Sequence, residues 1–266
     1  MAIRKTASSL TEFVEWAEQV AEAWTDAGEY VTPWFRGMTS TRHKLVPGLY
    51  RSESGRERFA DDELRSEFKR RGLPLVAERP PRDDWEWYSL MQHYGAPTRL
   101  LDWTDSALVG LYFALSAVRM NVKDFAAMRP AVWALNAWAL NQRLGVAGAL
   151  SPEENSIQDY LPPLFQTQGR VQPQYPIALD PVFIAQRMLV QHSHFTMHGN
   201  DVRGLDEMIG ELPLESSLFQ VVLDADSDGL SYMNQLLARM GVTETTIFPD
   251  LGGLARELSV EYGVYW

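Results

Sequence analysis

The 266-residue chain contains no cysteine. That removes disulfides, thiolate nucleophiles and zinc sites built on sulfur, and it agrees with a reducing compartment. No apolar run reaches the roughly 18 residues needed to cross a bilayer, and no basic segment followed by an apolar stretch opens the sequence. A cytoplasmic protein with no membrane partner is expected. There is no Gly-x-Gly-x-x-Gly run, no internal repeat and no low-complexity tract.

What is present suits a packed globular chain, since 45% of the residues are hydrophobic. The formal charge of −11 is uneven: residues 1–100 carry 15 basic and 16 acidic side chains, residues 101–266 carry 9 and 19. A polyanion should therefore approach the N-terminal side, where Arg65, Lys69, Arg70, Arg71, Arg79 and Arg82 gather. A solvated helix face accounts for the same cluster.

Ser9 and Glu12 have capping-box spacing, and Leu10, Phe13, Val14, Ala17, Val20, Ala21 and Trp24 recur with helical period. Residues 1–28 therefore read as an N-terminal helix packed on one larger domain, 29–266. A short strand is expected over Tyr30–Arg36, ending at Gly37, where a missing side chain permits a turn or the close approach of a ligand. Helices follow over about 56–71, closed by Gly72, and 84–94, closed by Gly95. Thr98–Trp103 reads as a buried strand, after which Thr104 or Asp105 caps a helix running to about Arg119. A strand over Ala131–Leu135 precedes an aperiodic stretch, 140–180, read as a surface excursion or lid. Strands over 191–198, 218–223 and 245–248, a helix over 228–240 closed by Gly241, and a helix from Pro249 complete the chain.

Three segments carry a family resemblance: Trp34-Phe35-Arg36-Gly37, the run Gln92–Thr104 with Phe113-Ala114 beyond it, and Ile247–Leu251. Between them stands Arg187-x3-Gln191-x3-Phe195. Together they resemble the FRG-domain family, named for its Phe-Arg-Gly tripeptide. The family is similar in motif layout to ADP-ribosyltransferases, and some members resemble RNA-modifying toxins of anti-phage toxin–antitoxin systems. The resemblance implies an α+β fold with a split, mainly antiparallel sheet flanked by helices. It also implies NAD as substrate, an RNA or protein acceptor with RNA favoured, a neutralising antitoxin-like partner, and no metal.

Breaking the nicotinamide–ribose bond passes through a cationic state beside a diphosphate, so a site needs a fixed cation, an aromatic wall and an amide or carboxylate near the ribose. Arg36 is the candidate cation, its planar fork suited to a phosphate or ribose hydroxyl; a structural pair with Asp102 is the alternative. Related transferases carry an aromatic and a hydroxyl where Trp103 and Thr104 stand, with Arg99 and Asp102 placed to orient them. Core packing and helix capping explain the same two residues.

Gln191 is favoured for the third catalytic position, with Glu244 and Asp250 as rivals. The chain has no Glu-x-Glu pair, a departure that leaves acceptor specificity open. His93 is a candidate acid or base, or else a capping or core histidine. Gly37, Tyr94 and Phe195 join the cofactor-binding set. His192, His194 and His198 would share a strand face, lining a cleft or holding a metal. Three functions compete: an ADP-ribosyltransferase, a non-catalytic module sensing a nucleotide or protein, and a nuclease or metal hydrolase built on the histidines.

Overall fold

The computed structural model describes all residues except 1–4, 26–29, 52–56, 77–79, 147, 163–172, 182–185, 213 and 265–266. The helices are α1 (Leu10–Trp24), α2 (Glu57–Gly72), α3 (Asp84–His93), α4 (Ala107–Ala114), α5 (Ser116–Arg119), α6 (Ala137–Asn141), α7 (Gln186–Val190), α8 (Ser227–Arg239), α9 (Glu244–Ile247) and α10 (Leu251–Glu261). The strands are β1 (Thr6–Ala7), β2 (Trp34–Met38), β3 (Leu100–Thr104), β4 (Ala131–Leu135), β5 (Ile177–Leu179), β6 (Ser193–Met197) and β7 (Leu218–Leu223). Among the described residues they form one sheet of order β1-β7-β4-β2-β3-β6-β5. Only β1 and β7 run parallel. The α+β class and the mainly antiparallel sheet expected above are what the chain adopts.

The sheet is split at its middle. β2 pairs with β4 over five residues and β3 with β6 over five, but β2 and β3 meet only where Phe35 faces Thr104. Three apolar clusters arrange themselves around this division. Phe35 joins α1, α4 and α8 in one, Leu100, Phe195 and Met197 join α3 in another, and Trp34, Leu101 and Trp103 fill a third. Alternation along β3 sends Leu100 to one cluster and Leu101 and Trp103 to the other face.

Glycine 37 decides how closely the first half packs. A Cβ there would stand 2.0 Å from the carbonyl oxygen of Gly110 and 2.3 Å from the amide nitrogen of Ala114, both in α4. The close approach that this glycine permits is therefore that of a helix backbone, not of a ligand or a turn. Gly110 completes the contact from the other side, since a Cβ on it would come within 2.9 Å of the Phe35 Cβ.

An internal ion pair holds the other half. Arg99 is wholly buried and donates from Nε to Asp61 Oδ2 at 2.7 Å and from Nη1 to the His198 carbonyl at 2.7 Å, with Nη2 reaching the Tyr160 carbonyl. Tyr88 closes the ring, donating to Asp61 Oδ1 at 2.7 Å and accepting from the Arg99 amide at 2.9 Å. This network ties α2, α3, β3 and the segment after β6, and it gives Arg99 a structural task instead of a cofactor.

Several local expectations need correction. β2 begins at Trp34 and continues through Gly37 to Met38. The cap of α4 is Ser106, whose Oγ accepts from the Val109 amide, and the helix breaks at Leu115 before α5. In α1, Ser9 accepts from the Glu12 amide as expected, but Trp16 is buried while Val14 is exposed. Residues 245–248 are not a strand: Thr243 and Thr246 cap each other and draw Glu244–Ile247 into α9 despite its β-branched residues. Within 140–180, Leu150, Ile157, Tyr160 and β5 are buried in the core beside α3, so these parts are no lid; 163–172 lie outside the described residues.

Two substitutions test this packing. Arg99→Ala strands the Asp61 carboxylate in the interior and should cost about 3–5 kcal/mol in urea unfolding. Gly37→Ala must push α4 from β2, so a melting temperature equal to that of the unaltered protein would contradict the contact described.

Candidate functional site

A cleft of about 1230 Å³ opens where β2 and β3 diverge. Its walls include Arg36, Gly37 and Met38 from β2, Asp102 and Thr104 from β3, and Arg187, Gln191 and Ser193 beside β6. The segment after β2 adds Arg42, Lys44, Tyr50 and Arg51. A second pocket of about 630 Å³ adjoins it, sharing Gln92, Gly95 and Arg187 and otherwise lined by His93, Tyr94, Gln186, Pro249 and Asp250.

Arg36 reaches across the split. Its Nη1 donates to the Asp102 carbonyl at 2.6 Å and lies 3.6 Å from Asp102 Oδ2. The side chain is 15% exposed, and its buried Nε has no hydrogen-bond partner among the described residues. Burial pulls its pKa below the usual guanidinium value, opposed by Asp102 and reinforced by Arg51. A buried N–H left without an acceptor is costly, which suits a place where an acceptor arrives from outside.

Asp102 is held from the other side. Gln92 Nε2 donates to both of its carboxylate oxygens, at 3.0 and 2.9 Å, while Gln92 Oε1 accepts from Thr98. Thr104 Oγ1 accepts from the Ser106 amide at 3.1 Å, which leaves its hydroxyl proton free to donate. Gln191 stands in the turn before β6 and donates from Nε2 to the Ile247 carbonyl at 3.1 Å, so its amide oxygen is the group available to the cleft.

The cleft is cationic although the protein is acidic. Arg36, Arg42, Lys44, Arg51 and Arg187 line it against the carboxylates of Asp102 and Glu207, and Lys44 is paired with Glu207. Arg42, Arg51 and Arg187 form no ion pair with another described residue. Arg187 rests on the Phe248 ring, 4.3 Å from its centroid, and burial lowers its pKa while Asp102 and Asp250 oppose that shift.

By contrast, the described members of the basic cluster singled out in the sequence are engaged in ion pairs. Arg65 and Lys69 pair with Asp84, Arg70 and Arg71 with Glu67, and Arg82 with Glu86; Arg79 lies outside the described residues. Exposed charges that already have partners offer little to a polyanion.

The structure thus brings Arg36, Gly37, Asp102, Trp103, Thr104 and Gln191 to one cleft, and His93 and Tyr94 to the pocket beside it. Three of the expected cofactor contacts are not available. Phe195 is buried in the core beside α3, and Arg99 is consumed by Asp61. Trp103 is 2% exposed with its indole N–H on Thr196 Oγ1 at 3.1 Å, so it cannot stack on a ring in the cleft.

The rivals to Gln191 are also engaged. Glu244 accepts from Tyr112 and from Arg256 Nε, and Asp250 caps α10 through the Gly253 amide at 2.7 Å. Sequence reasoning missed Arg42, Arg51 and Tyr50, which belong to no motif, and passed over Arg187, which does.

The three histidines do not line one strand face, although His192 and His194 both approach the Asp105 carboxylate, the latter at 3.6 Å. His192 has a positive φ of 49° and leaves the strand to pair with Asp105 at 2.8 Å. His194 stacks on Trp34 at 4.4 Å and bonds Asp180 at 2.7 Å. His198 is wholly buried, with neither ring nitrogen partnered among the described residues. No group of three or more His, Asp or Glu among the described residues is arranged to hold a metal.

With this geometry in place, one comparison bears on identity. Residues 32–123 match the FRG domain family. The FRG segment contains β2, α3, β3 and α4, and hence Arg36, Gly37, His93, Tyr94, Asp102 and Thr104. Arg187, Gln191 and the 247–251 stretch lie beyond it. No curated protein and no solved structure matches the chain. No helix among the described residues is long and apolar enough to cross a membrane.

Burial, and then the charge of Arg99, push the His198 pKa down to about 3. The unfolded chain therefore takes up the proton first. His198 contributes no penalty above about pH 6.5, and stability falls as pH drops from there toward 3. Between pH 7 and pH 5 this amounts to about 2 kcal/mol. His198→Gln should flatten that acid limb in urea titrations at several pH values; an unchanged slope would show that other groups set it.

Proposed function

We propose that the split-sheet cleft binds NAD and that the protein transfers ADP-ribose from it to a macromolecule, with RNA favoured over protein. What carries this reading is the part-buried cation Arg36, with a buried, uncommitted Nε–H, standing in a cationic cleft of an otherwise acidic protein. An anionic, concave-fitting ligand is what such a field attracts, and a diphosphate matches guanidinium forks.

In this reading Arg36 and Arg51 hold the diphosphate, and the Thr104 hydroxyl and Gln191 amide oxygen hold ribose hydroxyls. Asp102 faces the positive charge that develops as the nicotinamide–ribose bond breaks. The bond's electron pair leaves with nicotinamide, an acceptor oxygen or nitrogen attacks the ribose carbon, and its proton passes to His93. Burial first, and Arg187 second, lower the His93 pKa and favour the neutral imidazole that this role requires. Tyr50 and Phe113, not Trp103, supply the aromatic walls. A toxin of phage defence restrained by an antitoxin-like protein is the biological setting proposed.

A second reading has one observation in its favour. Asp102 and Gln191 are both already hydrogen-bonded within the protein, which suits a site that senses a nucleotide without turning it over.

Titration with NAD and incubation of label-bearing NAD with total RNA and protein separate the two. Arg36→Ala should weaken NAD binding about 10- to 100-fold and abolish label transfer. Binding without transfer selects the sensor; no binding by the unaltered protein sinks both NAD roles.

A further inference from the structure

We infer that the smaller pocket beside the cleft is a nucleobase site, and that it seats one unpaired base of a single-stranded RNA acceptor. As an acceptor site it rests on the transferase reading above; as a nucleobase site it stands on the pocket's own chemistry.

The pocket shares Gln92, Gly95 and Arg187 with the main cleft, so the two open into one another. Its exclusive lining is of a different kind. Tyr94 is 72% exposed although it closes α3, whose residues from Trp85 to Ser89 are buried, and its ring meets that of His93 edge-on at 5.0 Å. The Tyr94 hydroxyl, the His93 imidazole and the Gln186 amide have no hydrogen-bond partner among the described residues, and only Oδ1 of the Asp250 carboxylate is committed.

An open aromatic face surrounded by a free amide, phenol, imidazole and carboxylate oxygen matches a flat, neutral group rich in donors and acceptors along its edge. A base presents such a group, and single-stranded RNA is recognised by stacking splayed bases on aromatics and bonding their edges. The charge pattern agrees. Within the pocket Arg187 and Asp250 balance, which disfavours a phosphate, whereas the main cleft holds Arg36, Arg42 and Arg51, the cations a backbone needs. A paired base has its edge occupied and its faces covered, so duplex RNA does not fit.

The experiment is fluorescence anisotropy of a short labelled single-stranded RNA with the full chain. Tyr94→Ala should weaken binding about tenfold or more, and Tyr94→Phe should retain it. Unlabelled duplex should compete poorly. Equal binding by Tyr94→Ala and the unaltered protein would overturn the inference, as would binding of an unstructured peptide but not of RNA. Since Tyr94 is exposed, a melting curve on the same samples suffices to verify folding. NAD titration of the unaltered protein keeps the two readings apart. RNA binding that depends on Tyr94 without NAD binding leaves a nucleobase site and removes the transferase; NAD binding with Tyr94-independent RNA affinity does the reverse.

Discussion

The single residue pair between β2 and β3 is the constraint from which the rest follows. Two ladders of five pairs each diverge from the Phe35–Thr104 contact, and the space between them is the cleft. Such a gap leaves backbone groups without ladder partners, and something other than strand pairing must meet them. Arg36 does part of this by donating to the Asp102 carbonyl, so the residue that faces the cleft also bridges the opening that creates it.

Each side of the opening is held rigid by a different device. On one side Gly37 and Gly110 bring a strand and a helix into backbone contact, which no side chain would permit. On the other, the Arg99–Asp61 pair and Tyr88 lock α2, α3 and β3 together around charges removed from water. Such a pair adds little net stability, but its geometry is exacting, and it sets where Gln92 and Asp102 stand. Precision in the cleft thus depends on contacts outside it.

Much of this was legible in the sequence where a local signal had one physical meaning. Ser9, Gly95 and Gly241 mark helix ends because caps and left-handed turns are short-range demands. The Phe-Arg-Gly and Gln92–Thr104 segments pointed to the same cleft. What failed needed tertiary knowledge. Trp103 and Phe195 alternate correctly along their strands, but only the packed sheet shows that both faces there are covered. Of the basic residues of α2, Arg65 and Lys69 take Asp84 of α3 as a partner, a pairing that no spacing within α2 reveals, whereas Glu67 stands one turn from Arg70 and Arg71 in the sequence itself. Thr245-Thr246-Ile247 has strand composition, and the cap at Thr243 overrode it. Arg42 and Arg51 carry no pattern at all, and their position depends wholly on the turn after β2.

The hydrogen bond from Gln191 to the Ile247 carbonyl has a temporal consequence. The two residues are 56 positions apart, and Arg187 likewise rests on Phe248. A ribosome that has made the chain through β6 has therefore not yet made the carbonyl and the ring that fix this wall. The β3-β6-β5 ladder, complete by position 197, can therefore form on the growing polypeptide before this wall of the cavity, which is finished only when the segment around position 248 emerges and docks.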